Sequence, residues 1–351
     1  MMPKFAQTLM NPEESAAYFS SILKNIHRDA ESIMLFSQDV KKVLYDSSHS
    51  IVYIVIKYDI QLRLSHGKKT HKAVFLKSGN TASITYLTRC IRLLQKKGFN
   101  HSPFLVPDVV YRDTKNNVLI QEEATGSLLN DLIEKNDQRC KRGIILSAQW
   151  LVKLHAIPVD SQSLRISRKQ RQPSLNFISA WSSDKRMKQI QLDIFLLSTS
   201  LFERMATLEK RLRTPRYVHG DFHTKNMIIS SDSRKISVID FSDFYIGDPL
   251  FDVATMTEQL GFHYATSLGI PKTKKLQSVF LQEYARQSQT DLTEKFSQER
   301  INYYTSIVQY HNLLHDIKRF QRERKSADEI FQMLRKARSF LDNVLYGQNN
   351  G

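Results

Sequence analysis

His219-Gly220-Asp221-Phe222-His223-Thr224-Lys225-Asn226 leads into Met227-Ile228-Ile229, and beyond Ser230-Ser231-Asp232-Ser233 the chain returns through Lys235-Ile236-Ser237-Val238-Ile239 to Asp240-Phe241. Two short apolar runs on either side of a Ser/Asp cluster read as a β-hairpin. A hairpin is antiparallel, so the residue entering its first strand and the residue leaving its second return to the same end. The pattern predicts Asn226 and Asp240 side by side, with Asp221 a few residues upstream. Downstream, Gly247-Asp248-Pro249-Leu250-Phe251-Asp252 reads as a helix start, with Asp248 as cap, Pro249 in the first turn and Asp252 one turn in, both acids structural.

The two flanks of this island differ in kind. Near the N-terminus, Asn11-Pro12-Glu13-Glu14 opens a helix capped by Asn11, and Tyr18, Ile22, Leu23 and Ile26 follow at helical spacing. Val40–Tyr45, Ile51–Leu64 and His71–Lys77 are rich in Val, Ile and Tyr and read as strands. A helix follows, with Ile84, Leu87, Ile91 and Leu94 on one face and Gly98 near its end; Val109–Arg112 and Val118–Gln121 read as two more strands. After Gly126 the periodicity turns helical through Leu128–Ile133, Ile144–His155, Gln189–Leu212 and most of Pro249–Leu345, with Ser161–Lys188 read as a basic loop or insertion. The expectation is an α+β fold of two lobes: residues 1–122 a nucleotide-binding lobe with a leading helix, an antiparallel sheet and one further helix, and residues 123–351 a mainly helical lobe.

Composition narrows the setting. No apolar run approaches the roughly 18 residues of a membrane span, no secretory layout opens the chain, and Cys90 and Cys140 are too few for a disulfide framework or a cysteine metal site. A cytoplasmic protein is expected. The net charge is +16, and from Ile60 to Pro107 there is no Asp or Glu at all, while Arg63, Lys68, Lys69, Lys72, Lys77, Arg89, Arg92, Lys96 and Lys97 fall there. A second basic cluster runs from Arg165 to Lys188. Such a field suits an anionic partner, nucleic acid or an acidic surface, and it equally suits a solvated basic face.

The island carries the chemistry. Phosphoryl transfer from ATP needs a carboxylate to orient the attacking hydroxyl and accept its proton, oxygen ligands for Mg²⁺, and cations against the developing charge. Asp221, Asn226 and Asp240 can supply the first two needs. His219, His223 and His155 lack metal-site spacing and read as bracing or packing residues. Glu258, Glu283, Asp291 and Glu294 are acids that can line a substrate cleft.

The HGDxxxxN run, the IDF and the GDPxxD together resemble the aminoglycoside phosphotransferase/choline kinase-like family, relatives of the protein kinases, whose own loop is similar. The resemblance implies a two-lobed protein-kinase-like fold, Asp221 as catalytic base and Asn226 and Asp240 as metal ligands. Lys77, in Ala73-Val74-Phe75-Leu76-Lys77, matches the lysine that grips the ATP phosphates, and Val118–Gly126, with Glu122, Glu123 and Ala124, resembles the strand and hinge that meet adenine. The phosphate-covering loop Asp46-Ser47-Ser48-His49-Ser50 has no glycine, leaving Ser48 and its neighbours as phosphate contacts. The implied reaction is an ATP-dependent, Mg²⁺-assisted phosphorylation of a small hydroxylated metabolite: a sugar, amino sugar or amino alcohol. The chain departs from the pattern in one respect. Asn80–Asn100 holds no carboxylate to pair with Lys77, so another acid serves it or the pair is absent, and a degenerate nucleotide-binding module is the alternative.

Overall fold

Asn11 begins the first helix as its side chain is suited to do: in the computed structural model its Oδ1 accepts the N–H groups of Glu13 and Glu14 at 2.9 and 3.2 Å. The structure describes residues 5, 8–45, 51–159, 185–211, 214–323 and 326–346. In chain order the elements are α1 (Pro12–Ser21), α2 (Leu23–Ile26), β1 (Ala30–Tyr45), β2 (Ile51–Leu64), β3 (Lys69–Gly79), α3 (Thr81–Leu94), β4 (Asn100–His101), β5 (Phe104–Leu105), β6 (Val109–Asp113), β7 (Val118–Glu122) and β8 (Ser127–Leu128). There follow α4 (Leu129–Glu134), α5 (Cys140–His155), α6 (Lys185–Lys210), β9 (Arg216–Val218), β10 (Met227–Ile229), β11 (Ile236–Val238), β12 (Tyr245–Gly247), α7 (Leu250–Leu268), α8 (Ile270–Ser288), α9 (Lys295–Arg322) and α10 (Ala327–Tyr346). The fold is α+β, a β-rich N-terminal part followed by a mostly helical one.

Two compact units form. One holds Met1–Leu129 together with Asn226–Ser242, the other Asn130–Lys225 together with Asp243–Gly351. In the first, a five-stranded sheet runs β1-β2-β3-β7-β6, antiparallel throughout, and a second sheet runs β4-β5-β11-β10-β8. Every second residue of β2 from Ile54 to Leu64 is buried, the period-2 pattern of a strand with one face in the core. Phe19 of α1 covers that face, its ring 4.6 Å from Tyr58 and 5.5 Å from Phe36. The polar end of Tyr58 is satisfied by the carbonyl of Leu9 at 2.8 Å.

In the second unit α5 packs on α8, α7 on α8 and α9, and α6 on α10, with a two-stranded sheet of β9 and β12 among them. Two differences from the sequence reading have physical causes. Strand β1 begins at Ala30, ten residues before the Val40 expected, because pairing with β2 continues from Tyr45↔Ile51 back to Ala30↔Leu64. Helix α6 begins at Lys185, inside the stretch expected as a basic loop; residues 160–184 lie outside the described residues, as does Ser48.

Truncating Phe19 tests the core. Phe19→Ala is expected to lower unfolding stability by about 3–5 kcal/mol, read from the denaturant midpoint at unchanged m-value, and a loss under about 1 kcal/mol would contradict this packing.

Candidate active site

The loop that carries Asp221 is built in the second unit. Strand β9 delivers the chain into it beside β12, with Val218 opposite Tyr245. Gly220 then takes a left-handed turn at φ +82°, and a Cβ there would stand 2.1 Å from the carbonyl oxygen of Asp243, so only glycine fits. Asp252, fully buried one turn into α7, accepts the N–H of His219 at 2.7 Å and of Gly220 at 2.9 Å. His155 Nε2 lies 3.1 Å from the same carboxylate. His219 in turn accepts the Asp221 N–H on Nδ1 at 3.3 Å, and Trp150 stacks on Phe222 beneath the loop at 5.8 Å.

The far end of the loop is tied to the same helix. Thr224 Oγ1 lies 2.6 Å from Tyr264 Oη, which donates onward to Asn130 Oδ1 at 2.7 Å. Asp252 and Tyr264 are three turns apart on α7, about 18 Å along its axis, so one rigid element grips the loop at both ends. The half-buried Asp221 carboxylate has His223 Nε2 at 3.4 Å.

Asp248 anchors that helix. Its Oδ1 accepts the Leu250 N–H at 3.0 Å, which is the capping role its sequence suggests, though the helix itself begins at Leu250. What the sequence does not disclose is that the same carboxylate, fully buried, also takes Arg300 Nη1 at 3.0 Å and Tyr304 Oη at 2.9 Å, both from α9. The Arg300 guanidinium lies over the Phe296 ring at 4.8 Å.

Asn226, Asp240 and Lys77 lie in the first unit. The hairpin pairs Met227 with Val238 and Ile229 with Ile236, and the Ile239 N–H donates to the Asn226 carbonyl at 3.0 Å, so Asn226 and Asp240 flank its open end. Asp240 is held at φ +63°. For a residue with a Cβ this left-handed conformation costs on the order of 1–3 kcal/mol, a strain that surrounding structure must impose. The Asp240 charge reaches two side chains of the main sheet. Burial and then Asp240 push the Tyr53 phenol well above its ordinary range. Burial lowers the Lys77 ammonium, Asp240 works against that, and Lys42 adds to the lowering. Lys42, Val55 and Lys77 lie in one row across β1, β2 and β3. The acid whose charge reaches Lys77 is thus Asp240, at the end of the hairpin, and not a residue of α3.

Three residues along β3 from the Lys77 pairing with Leu119, Val74 pairs with Glu122. The side chains expected at the hinge are engaged: Glu122 with Lys72 at 2.7 Å and Glu123 with Lys57 at 2.9 Å. Their N–H groups bond to the carbonyls of Asp108 and Ala73, each at 2.9 Å. Among the described residues, no hydrogen bond uses the N–H of Ala124, the next in the chain.

Of the four acids proposed from sequence for a cleft, three serve local structure. Glu283 bonds Gln149 at 2.6 Å and Arg286 at 2.8 Å; burial works to raise its carboxyl, but these partners and Gln287 hold it at about 2. Asp291 caps Thr293, and Glu294 caps Ser297. Glu258, on α7, is different: burial carries its carboxyl from 4.5 to about 7, against a hydrogen bond from Gln309. Among the described residues no three His, Cys, Asp or Glu side chains form a metal-holding group, and no helix is long and apolar enough to cross a membrane.

The model of the Phosphotransferase enzyme family matches residues 69–285, a span that takes in β3, the hinge, the loop, the hairpin and α7. Among solved structures, the chain resembles the aminoglycoside phosphotransferase APH(2'')-Ib bound to ADP, at 16% identity over 93% of this chain and 98% of that one, TM-score 0.53. It resembles the choline kinase LicA from Streptococcus pneumoniae at 15% identity over 94% and 98%, TM-score 0.52. A variant of the aminoglycoside phosphotransferase APH(4)-Ia with ADP and hygromycin B gives 14% over 95% and 99%, TM-score 0.51. At these identities the likeness speaks for the fold. No curated protein matches.

Two stability measurements check this description. Breaking a buried ion pair strands its partner at a cost of about 3–5 kcal/mol, so Arg300→Met is expected to lose that much in denaturant unfolding, and a neutral result would contradict the Asp248 site. Glu258 folds with its carboxyl above the ordinary value, so its environment costs nothing below pH 4.5 and costs progressively more as pH rises through 7. Glu258→Gln is therefore expected to gain in melting temperature over the parent as pH goes from 4.5 to 7.5, and a difference constant with pH would contradict it.

Proposed function

The chain belongs to the phosphotransferase enzyme family, and from that premise we propose that it moves the γ-phosphoryl group of ATP onto a hydroxyl of a sugar, amino sugar or amino alcohol, with Asp221 as the base and Asn226 and Asp240 as the magnesium ligands. Transfer of phosphate to a hydroxyl is the chemistry of the family; the substrate class follows the relatives, whose names specify aminoglycoside and choline kinases. The observation that carries the residue assignment is Asp240: a strained carboxylate at the open end of a hairpin beside Asn226, its charge reaching Lys77.

In this reading the substrate oxygen attacks the γ-phosphorus, its proton passes to the Asp221 carboxylate, and the bond from the γ-phosphorus to the β–γ bridging oxygen breaks to release ADP. Lys77 lies against the ATP phosphates as a cation that burial has already partly stripped of water. Ala124 offers its N–H to the adenine edge. Asn226 and Asp240 fit magnesium, which takes oxygen donors and only one or two protein carboxylates. Bound there it neutralises charge on the phosphates.

The test is direct. Thermal-shift screening of sugars, amino sugars and amino alcohols with Mg²⁺ and a non-hydrolysable ATP analogue identifies the acceptor by mass action. With that acceptor, Asp221→Asn is expected to slow ADP formation by about 10²–10⁴-fold while ATP still binds. Equal rates in the two proteins would end the claim for Asp221.

A further inference from the structure

His155 sits behind the loop, buried, with both ring nitrogens engaged: Nε2 is 3.1 Å from Asp252 Oδ2 and Nδ1 is 2.8 Å from the hydroxyl of Tyr284 on α8. Asp252 is also buried and already accepts two backbone N–H groups, so it needs a donor and not a lone pair on its third side. The Tyr284 hydroxyl is buried too, and burial with the nearby charges of Asp252 and Asp248 holds it firmly protonated. Among the described residues, the acceptor within hydrogen-bond distance of its proton is His155 Nδ1, at 2.8 Å.

We propose that Tyr284 is a positioning residue for phosphoryl transfer: by donating its hydroxyl proton to His155 Nδ1 it fixes the neutral ring with the proton on Nε2, and that proton completes the donor set of the Asp252 carboxylate that holds the His219–Gly220 backbone in front of Asp221. Tautomers of a buried histidine are set by what the other nitrogen meets. Without the phenol, Nδ1 is left a buried lone pair with no donor, which weakens the preference for the proton on Nε2 and lets the tautomer with the proton on Nδ1 compete. Nε2 would then turn a lone pair on Asp252, lone pair against carboxylate, and the carboxylate would shift with the two N–H groups it holds. Displacement of a catalytic group by about 1 Å can cost up to 10²-fold in rate. The proposal rests on the assignment of Asp221 as the base.

The experiment combines a spectroscopic signature with a rescue. In ¹⁵N-histidine-labelled protein the His155 ring is expected to show a protonated Nε2 and a bare Nδ1; a protonated Nδ1 in the unsubstituted protein overturns the proposal, and this reading needs no variant to fold. With MgATP and water as the acceptor, Tyr284→Phe is expected to lower kcat by about 10–100-fold at unchanged KM for ATP. Adding His155→Gln to Tyr284→Phe restores most of that rate, because a glutamine amide presents an N–H to Asp252 and has no tautomer to fix. A Tyr284→Phe protein at the parental kcat, or a double variant no faster than the single, overturns the proposal. Asp221→Asn in the same assay separates the two claims: if it is slow while Tyr284→Phe is not, the base stands and the positioning role falls; if it retains the parental rate, the assignment of the base falls.

Discussion

A carboxylate taken out of water must be given hydrogen-bond donors by the protein, and Asp252 is given two backbone N–H groups and a histidine ring nitrogen. Left without them it would be among the costliest groups in the fold; supplied with them it becomes the fixed point on which the loop 219–225 is hung. The loop has little regular structure of its own, a left-handed glycine and one short 3₁₀ turn, so its shape is dictated from outside. Helix α7 dictates it, through Asp252 at one end and Tyr264 at the other. That helix is in turn held by the buried Asp248–Arg300–Tyr304 cluster to α9. The placing of this loop thus draws on side chains as far apart in the chain as His155 and Tyr304, 149 positions.

The first unit solves a different problem. Its main sheet spends one face on a hydrophobic core with α1 and presents on the other Tyr53, Val55 and Lys77, with the Asp240 charge reaching the first and last of these. Burial works against the Lys77 ammonium and the Asp240 charge works for it, and a phosphate group offered to a partly desolvated cation meets less competing water than it would at the surface. Asp240, proposed above as a metal ligand, is also the carboxylate whose charge acts on Lys77. Helix α3 itself holds no acid and carries Arg89 and Arg92 on its exposed side.

Much of this was legible in the sequence where the signal is local. Asn11 as a cap, β2 from Ile51 to Leu64, and the hairpin that returns Asp240 to Asn226 are all decided by residues within a few positions of one another. What was not legible comes from afar. The first ten residues of β1 pair only because β2 is there to receive them, and Glu31, Ser32, Ser37, Gln38 and Asp39 give no strand propensity of their own. Arg300, Tyr304 and Tyr284 are ordinary helix residues until the fold sets them against Asp248 and His155, and no spacing rule marks them. The acid that answers Lys77 was sought on the helix that follows it; it was already named, as a metal ligand, 163 positions downstream.

The account stands or falls on Asn226 and Asp240 holding a metal–nucleotide complex. Manganese substitutes for magnesium at oxygen sites and its binding can be followed by electron paramagnetic resonance. Titrating Mn²⁺ into the protein with a non-hydrolysable ATP analogue should reveal tight, nucleotide-dependent binding that Asp240→Ala abolishes and Asn226→Ala weakens. Undiminished binding in both variants would contradict the claim.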